Sequence, residues 1–164
     1  MRIVVSDVEP IGELLRVDLA ADLFGLPHQF HAVDLCAGRA CSAAETVGLR
    51  KLGFIVEELD GTGVADAVRI ARANTRLSLH DAMSVVLARR HEGAILTTHS
   101  SFATLEQPGI ATVSMGWVFD LLSWTVPAPR LATALGSLSQ GARSGLTAAE
   151  IQQRLKAVGT RLGV

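Results

Sequence analysis

The sequence predicts an α/β fold, a three-layer α/β/α sandwich with a central parallel sheet. Short apolar segments alternate along the chain with longer segments whose apolar residues recur at helical spacing. Such alternation is typical of βαβ units, in which helices cover both faces of a parallel sheet. The length of 164 residues fits one domain with a small addition. We expect residues 1–124 to form that domain and residues 125–164 to form a helical appendage.

Five short segments rich in apolar residues are predicted as strands, and the longer segments between them are predicted mainly as helices. The predicted strands are Arg2–Ser6, Gln29–Val33, Phe54–Val56, Ala94–Thr97 and Ile110–Val113. The predicted helices are Ile11–Phe24, Ser42–Leu52, Val64–Ala73, Leu79–His91 and a last helix after Thr147. Three of them begin with the pattern of a capping box, a Ser or Thr followed three residues later by an acidic residue.

The composition is apolar for a protein that would stand alone in water. Hydrophobic residues make up 49% of the chain and charged residues only 19%, so part of the surface is expected to face a partner, most simply in a homodimer. The net charge of −1 provides no overall positive field to attract nucleic acid. Binding of RNA would therefore depend on a local patch.

The first residues, MRIVVSD, include neither the charged start nor the long apolar stretch of a signal peptide. No apolar run approaches the roughly 20 residues that span a bilayer. We therefore expect a cytoplasmic protein that does not interact with membranes. Cys36 and Cys41 form no metal-binding pattern, and we expect both to be buried thiols.

Acidic residues stand near the ends of the predicted strands, where an open parallel sheet binds its ligands. Asp7 follows the first strand, with Glu9 two residues later, and Asp34 follows the second. Asp81 lies in the first turn of the helix that precedes the fourth strand, and His99 follows that strand. Carboxylates that converge repel one another, so a bound cation is needed to balance them. Oxygen ligands favour Mg²⁺ or Mn²⁺, which can activate water for phosphodiester hydrolysis.

Each of these residues also has a simpler interpretation. Asp81 completes a capping box with Ser78, and Glu45 completes one with Ser42. Asp7 follows a strand, where aspartate is a common turn residue. Both interpretations stay open at this point. A dinucleotide loop is excluded, because the glycines of Gly61–Gly63 lack the third glycine of that motif. A serine hydrolase is excluded too, since the chain has no Gly-x-Ser-x-Gly elbow.

Two stretches of the chain resemble PIN domains. Ile3-Val-Val-Ser-Asp-Val-Glu-Pro10 is similar to the first strand of that family. Leu77-Ser-Leu-His-Asp-Ala82, followed by an apolar helix and Gly93-Ala-Ile-Leu-Thr-Thr-His-Ser-Ser-Phe102, is similar to its second half. The resemblance extends from Met1 to about Leu122. The later residues resemble the helical tail of a PIN subgroup that is related to toxin–antitoxin proteins.

The resemblance implies an Mg²⁺- or Mn²⁺-dependent endoribonuclease, the toxin of a toxin–antitoxin pair, with RNA as substrate and an antitoxin protein as partner. It implies that Asp7, Asp34 and Asp81 hold the metal, with Glu45 as the rival of Asp34. The fourth acid of the family falls on His99, which brings no negative charge to a metal. Glu9 could restore the missing carboxylate. The alternative is a catalytically degenerate PIN domain that binds RNA or a protein.

Overall fold

Five parallel strands form the central sheet in the computed structural model, which describes residues 1–98, 102, 110–140 and 143–162. The strands are β1 (Arg2–Val5), β2 (Gln29–Val33), β3 (Ile55–Glu57), β4 (Ala94–Leu96) and β5 (Thr112–Val113). Their order across the sheet is β3-β2-β1-β4-β5. The predicted α/β class with a parallel sheet between helical layers is confirmed.

Helices lie on both sides of this sheet. The helices of the described residues are α1 (Glu9–Arg16), α2 (Ala20–Phe24), α3 (Asp34–Ala40), α4 (Ala43–Leu52), α5 (Gly61–Ala73), α6 (Leu79–His91), α7 (Met115–Thr125), α8 (Ala128–Leu138) and α9 (Ala148–Leu162). One group is formed by α1, α2, α4 and α7, which contact one another, and a second by α5 and α6. The helix α6 packs directly on β1, β2 and β4.

Strand β1 occupies the centre of the sheet. Ile3, Val4 and Val5 are completely buried, because helices cover both faces of the strand and leave no face to solvent. Ile3 is in register with Phe30 on one side and with Ala94 on the other. The chain thus runs outward from β1 to β2 and β3, and then returns past β1 to begin β4. The gap between β1 and β4 is the topological switch point of the sheet.

The single helix predicted over Ile11–Phe24 is wrong, because two helices occupy this stretch. The first ends at Arg16, and Asp18 adopts a left-handed conformation with φ of 58°. Aspartate tolerates this region better than most residues do. The turn lets the amide of Leu19 bond to the carbonyl of Leu14 at 2.8 Å, so the apolar periodicity continues although the helix does not.

Two helices, α3 and α7, are not predicted from the sequence. Helix α3 begins immediately after β2 and holds only 7 residues, too few to show a helical periodicity. Helix α7 is apolar around most of its circumference, and Met115, Val118, Phe119 and Leu122 are all buried. A helix with so broad an apolar surface lacks the polar stripe that identifies an amphipathic helix.

The residues after 125 are packed into the same core as the sheet. Leu135 of α8 and Ile151 and Val158 of α9 are buried in the hydrophobic cluster that also contains β1. The capping box that the sequence predicts at Thr147 is confirmed, since the Thr147 amide bonds to Glu150 at 2.7 Å and the Glu150 amide bonds to the Thr147 hydroxyl at 3.2 Å. Within the described part of the chain, no helix has the length and apolar character needed to span a membrane.

Glu45 serves as a capping residue at the start of α4, as the simpler interpretation expects. Its carboxylate accepts a hydrogen bond from the Ser42 amide at 2.8 Å, and its own amide donates to the Ser42 hydroxyl at 3.2 Å. The guanidinium of Arg16 lies 2.8 Å from the same carboxylate. The hydrogen bond from the Ser42 backbone, followed by the one from Arg16, lowers the pKa of Glu45 to about 2.

A pH-dependent contribution to stability follows from this lowered pKa. A carboxyl whose pKa falls from 4.5 to about 2 on folding stabilises the fold above pH 4.5 and loses that effect as the pH falls toward 2. Glu45→Gln should therefore unfold at lower urea than the wild type at neutral pH, and the difference should shrink below pH 4.5. Glu58→Gln, at an exposed acid, is the control. A difference that stays constant with pH would contradict the assignment.

Candidate functional site

Asp7 lies at the switch point of the sheet, directly beyond β1. Its Oδ2 accepts a hydrogen bond of 2.7 Å from the hydroxyl of Thr98, which follows β4. Its Oδ1 accepts one of 3.2 Å from the amide of Glu9. The carboxylate is thus held between the ends of two neighbouring strands, at the position where open parallel sheets bind ligands.

A pocket of about 460 Å³ opens beside Asp7. We call it the acidic cleft, because Asp7, Glu9 and Asp81 all line it although 74 positions of sequence separate the first from the last, and their carboxylate oxygens do not all lie within 4.8 Å of one another. Its lining is Ser6, Asp7, Val8, Glu9, Cys36, Arg39, Ala40, Ser78, His80, Asp81 and Arg143. Three of the residues predicted for the metal site therefore share one cavity.

Asp81 takes part in the capping box at the start of α6. Its Oδ2 accepts hydrogen bonds from the Ser78 amide at 3.0 Å and from the Ser78 hydroxyl at 2.8 Å. The Ser78 hydroxyl in turn accepts from the Asp81 amide at 3.1 Å. The capping interpretation is confirmed, but it does not exclude Asp81 as a metal ligand. These bonds use one carboxylate oxygen, and the residue still lines the acidic cleft.

Asp34 is the first residue of α3, directly after β2. It does not line the acidic cleft, but it acts on Cys36, which does. Burial is the main cause that raises the pKa of the Cys36 thiol to about 11, and the negative charges of Asp81 and Asp34 raise it further. Both carboxylates thus lie near one thiol, which stays protonated at neutral pH. Cys36 and Cys41 are both buried, as predicted.

Glu9 is paired with Arg143 across the mouth of the cleft. The Arg143 guanidinium lies 2.8 Å from the Glu9 carboxylate. Arg143 belongs to the loop before α9, and Gly145 packs this loop closely against Thr98, which follows β4. Gly145 has a φ of 70°, and a Cβ there would lie 2.5 Å from Thr98. The predicted appendage therefore contributes a residue to the cleft. Because both members of the pair are solvent-exposed, it is worth at most about 1 kcal/mol, so Glu9 can leave Arg143 at little cost.

A second arginine faces the cleft from α3. The Arg39 guanidinium lies 3.1 Å from Nδ1 of His80. A guanidinium can only donate, so Nδ1 of His80 is the acceptor in this contact. The cleft thus holds three carboxylates, two guanidinium groups and one imidazole. The two arginines offset part of the repulsion among the three carboxylates, so these five groups together carry one net negative charge.

Three of the candidate ligands, Asp34, Glu45 and His99, are not among the described residues that line the cleft. His99 lies outside the described residues. Glu45 does not line the cleft and is bound to Ser42 and Arg16, whereas Asp34 acts electrostatically on a residue of the cleft. Neither acid lines the cleft, so the structure does not decide which of them is the second acid. Arg39 and Arg143 are functional candidates that the sequence analysis missed, because α3 was not predicted and the tail was taken for an appendage.

A second polar cluster lies between the sheet and the far end of α6. We call it the His–Glu–His cluster, after His31, Glu57 and His91. Oε1 of Glu57 lies 2.6 Å from Nδ1 of His31 and 2.8 Å from Nε2 of His91. The two imidazole rings are 4.3 Å apart between centroids. Among the described residues, no other group of three His, Cys, Asp or Glu side chains brings its ligand atoms within 4.8 Å of one another.

The His–Glu–His cluster is buried at His31 and partly open to solvent at Glu57 and His91. Nε2 of His31 is buried without a hydrogen-bond partner, which costs about 1–3 kcal/mol. Burial opposes ionisation of Glu57, but hydrogen bonds from His31 and His91 outweigh it and lower the pKa of this carboxyl. The three residues stand far apart in sequence and form no known ligand spacing. The one sequence signal is a histidine in the middle of an apolar strand.

Comparison with known proteins assigns no family to this chain: no protein-family model, curated protein or solved structure matches it. The functional argument therefore depends on the site itself.

Two substitutions of Asp81 should separate its capping role from a role in ion binding. Asp81→Asn keeps an oxygen that accepts from Ser78, whereas Asp81→Ala removes it. We expect Asp81→Ala to unfold with a free energy about 0.3–1.5 kcal/mol below that of Asp81→Asn in urea titrations. Both variants should lose affinity for Mn²⁺ in calorimetry. If Asp81→Asn binds Mn²⁺ as the wild type does, the residue is a cap and nothing more.

Proposed function

We propose that this protein is an Mg²⁺- or Mn²⁺-dependent endoribonuclease that hydrolyses RNA phosphodiesters in the acidic cleft. The observation that carries the proposal is the position of Asp7 and Asp81 in one cavity at the switch point of the parallel sheet. Oxygen ligands at such a position suit a hard divalent cation. Asp34 stands at the end of the adjacent strand and adds negative charge nearby.

The proposed chemistry assigns separate tasks to the acids and the arginines. Asp7, Asp81 and Asp34 would hold the ion, directly or through water, and the ion would lower the pKa of a bound water that attacks phosphorus. Arg39 and Arg143 line the same cleft and can bind the phosphate oxygens of a chain that enters it. They supply the local positive groups that a protein of net charge −1 needs to contact RNA phosphates, while a bound cation would offset the carboxylates.

Glu9 and His99 complete the proposed ligand set. Glu9 would approach the ion when a substrate phosphate draws Arg143 away, because the present Glu9–Arg143 pair is exposed and weak. His99 follows β4 in the sequence and would bind without adding charge, which weakens a site for Mg²⁺ more than one for Mn²⁺.

The similarity of the two quoted stretches to PIN domains extends the proposal to a toxin of a toxin–antitoxin pair, with an antitoxin protein as partner and action in the cytoplasm. Exposed apolar side chains support an association with another protein, most simply a homodimer. Trp124 of α7 is 81% exposed, and Leu35 and Val47 are each 52% exposed.

The second candidate function is a catalytically degenerate PIN domain that binds RNA or a protein without cleaving it. The hydrogen bonds of the cleft favour it, because Asp81 is bound to Ser78 and Glu9 to Arg143. In that case the arginines would bind phosphate, and the carboxylates would only position the elements around them.

Substitutions at positions 7 and 99 test the catalytic proposal. Asp7→Asn should abolish both RNA cleavage and Mg²⁺ binding. His99→Asp should tighten Mg²⁺ binding several-fold and raise cleavage. One added charge at about 4 Å is worth roughly 4 kcal/mol at an effective dielectric of 20 before desolvation, and even a quarter of that is several-fold in affinity. Calorimetry with Mg²⁺ and Mn²⁺ and cleavage of a mixed RNA pool give the two measurements.

The control is Asp66→Asn, which removes the same charge from an exposed ion pair on α5 and should change neither measurement. The degenerate binding module would be established if the wild type binds RNA but binds no ion and cleaves no RNA, while the His99→Asp variant binds an ion and cleaves RNA. An Asp7→Asn variant with full activity would rule out the metal site.

A further inference from the structure

A second candidate metal site lies outside the acidic cleft, at the His–Glu–His cluster. His91 is the last residue of α6, whereas Asp81 lies in its first turn. At a rise of about 1.5 Å per residue, ten residues place the two about 15 Å apart along the helix. One ion cannot contact both groups. The cluster is therefore separate from the site of the proposed nuclease.

The sheet and α6 together fix the three side chains. His31 is in register with Ile55, and Val33 with Glu57, so His31 and Glu57 point to the same face of neighbouring parallel strands. Helix α6 packs on that face and brings His91 over it. Three separate elements thus direct a ligand atom toward one place.

The distances fit a transition metal with little rearrangement. The Glu57 oxygen is 2.6 Å and 2.8 Å from the two imidazole nitrogens. Tetrahedral ligands with bonds of about 2.0–2.1 Å lie about 3.3 Å from one another. The carboxylate needs to withdraw by less than about 1 Å from each nitrogen, which a side-chain rotation can supply. All three ligand atoms already lie within 4.8 Å of one another.

The donor set selects the class of ion. Two imidazole nitrogens and one carboxylate oxygen suit Zn²⁺ and similar transition metals, and nitrogen ligands are unfavourable for Mg²⁺. The cluster is also accessible, since the side chains of Glu57 and His91 are 33% and 19% exposed, while that of His31 is 6% exposed. An ion can enter from the side of Glu57 and keep a water as its fourth ligand.

A hydrogen-bonded triad is the alternative arrangement of the same groups. In it both rings donate to one oxygen of Glu57. Nε2 of His31 has no hydrogen-bond partner in the triad, and it would have none if an ion were bound at Nδ1. This unpaired nitrogen therefore does not discriminate between the triad and the metal site. The convergence of both ring nitrogens on a single carboxylate oxygen, open to solvent on one side, favours the ion.

We propose that His31, Glu57 and His91 bind one Zn²⁺-type ion that links β2, β3 and the end of α6. The test begins with protein treated with a chelator and then dialysed. Calorimetry with Zn²⁺ should show one tight site per chain, and Co²⁺ should give the visible absorption of a four-coordinate site. At 100 times the dissociation constant, Zn²⁺ should raise the Tm by about 5–10 °C.

Two variants test the ligands. Glu57→Gln keeps an oxygen that accepts from both rings but removes the charge, and His91→Gln removes one nitrogen. Each should lower Zn²⁺ affinity at least about tenfold and abolish the Co²⁺ absorption. The matched control is His28→Gln, which removes an imidazole that belongs neither to the cluster nor to the acidic cleft and should leave both signals unchanged.

Asp7→Asn separates this site from the acidic cleft, because it should leave Zn²⁺ binding intact while Mg²⁺ binding is lost. The proposal is overturned if the wild type shows no Zn²⁺ heat and no Tm shift. It is equally overturned if Glu57→Gln and His91→Gln bind Zn²⁺ as the wild type does. Circular dichroism of both variants shows whether they are folded, and the wild-type titration decides the question if they are not.

Discussion

The parallel pairing of β1 with β2 on one side and β4 on the other is the constraint on which the rest of the structure depends. Because Ile3, Val4 and Val5 of β1 are buried on both faces of the sheet, they are apolar, and the next polar side chains along the chain lie beyond the end of the strand. The same holds for β4, so Asp7 and Thr98 meet at the edge of the sheet and bond at 2.7 Å. The cleft exists there because the chain leaves β1 in one direction and returns on the other.

Helix α6 connects this edge to the opposite end of the molecule. Seven consecutive residues, from Ala82 to Ala88, are buried, so the helix is fixed along its length. Its first turn places Asp81 in the acidic cleft, and its last residue places His91 over β2. The capping box with Ser78 therefore fixes the start of the helix and also the position of a carboxylate that lines the cleft.

Local signals predicted most of the fold. The capping box at Ser42 and the whole of α6 were predictable, because a cap and an apolar repeat act within a few residues. The end of the first helix near Asp18 was not predictable, because the apolar periodicity continues through Leu19, whose amide bonds back to Leu14. The position of Asp7 and Asp81 in the acidic cleft was predictable, because Asp7 follows β1 and Asp81 lies in the first turn of the helix that precedes β4. The contribution of Arg143 and the meeting of His31 with His91 were not, because both depend on contacts between distant elements.

The most direct test of this account is a crystal structure of the protein soaked in Mn²⁺, with the ion located by its anomalous scattering. The account predicts a peak in the acidic cleft within coordination distance of Asp7 and Asp81, with Asp34 bound to it directly or through a water. Well-ordered crystals that hold Mn²⁺ elsewhere, or nowhere, while the cleft carries only water between its carboxylates and arginines, would contradict the central claim that the edge of this sheet holds a divalent cation.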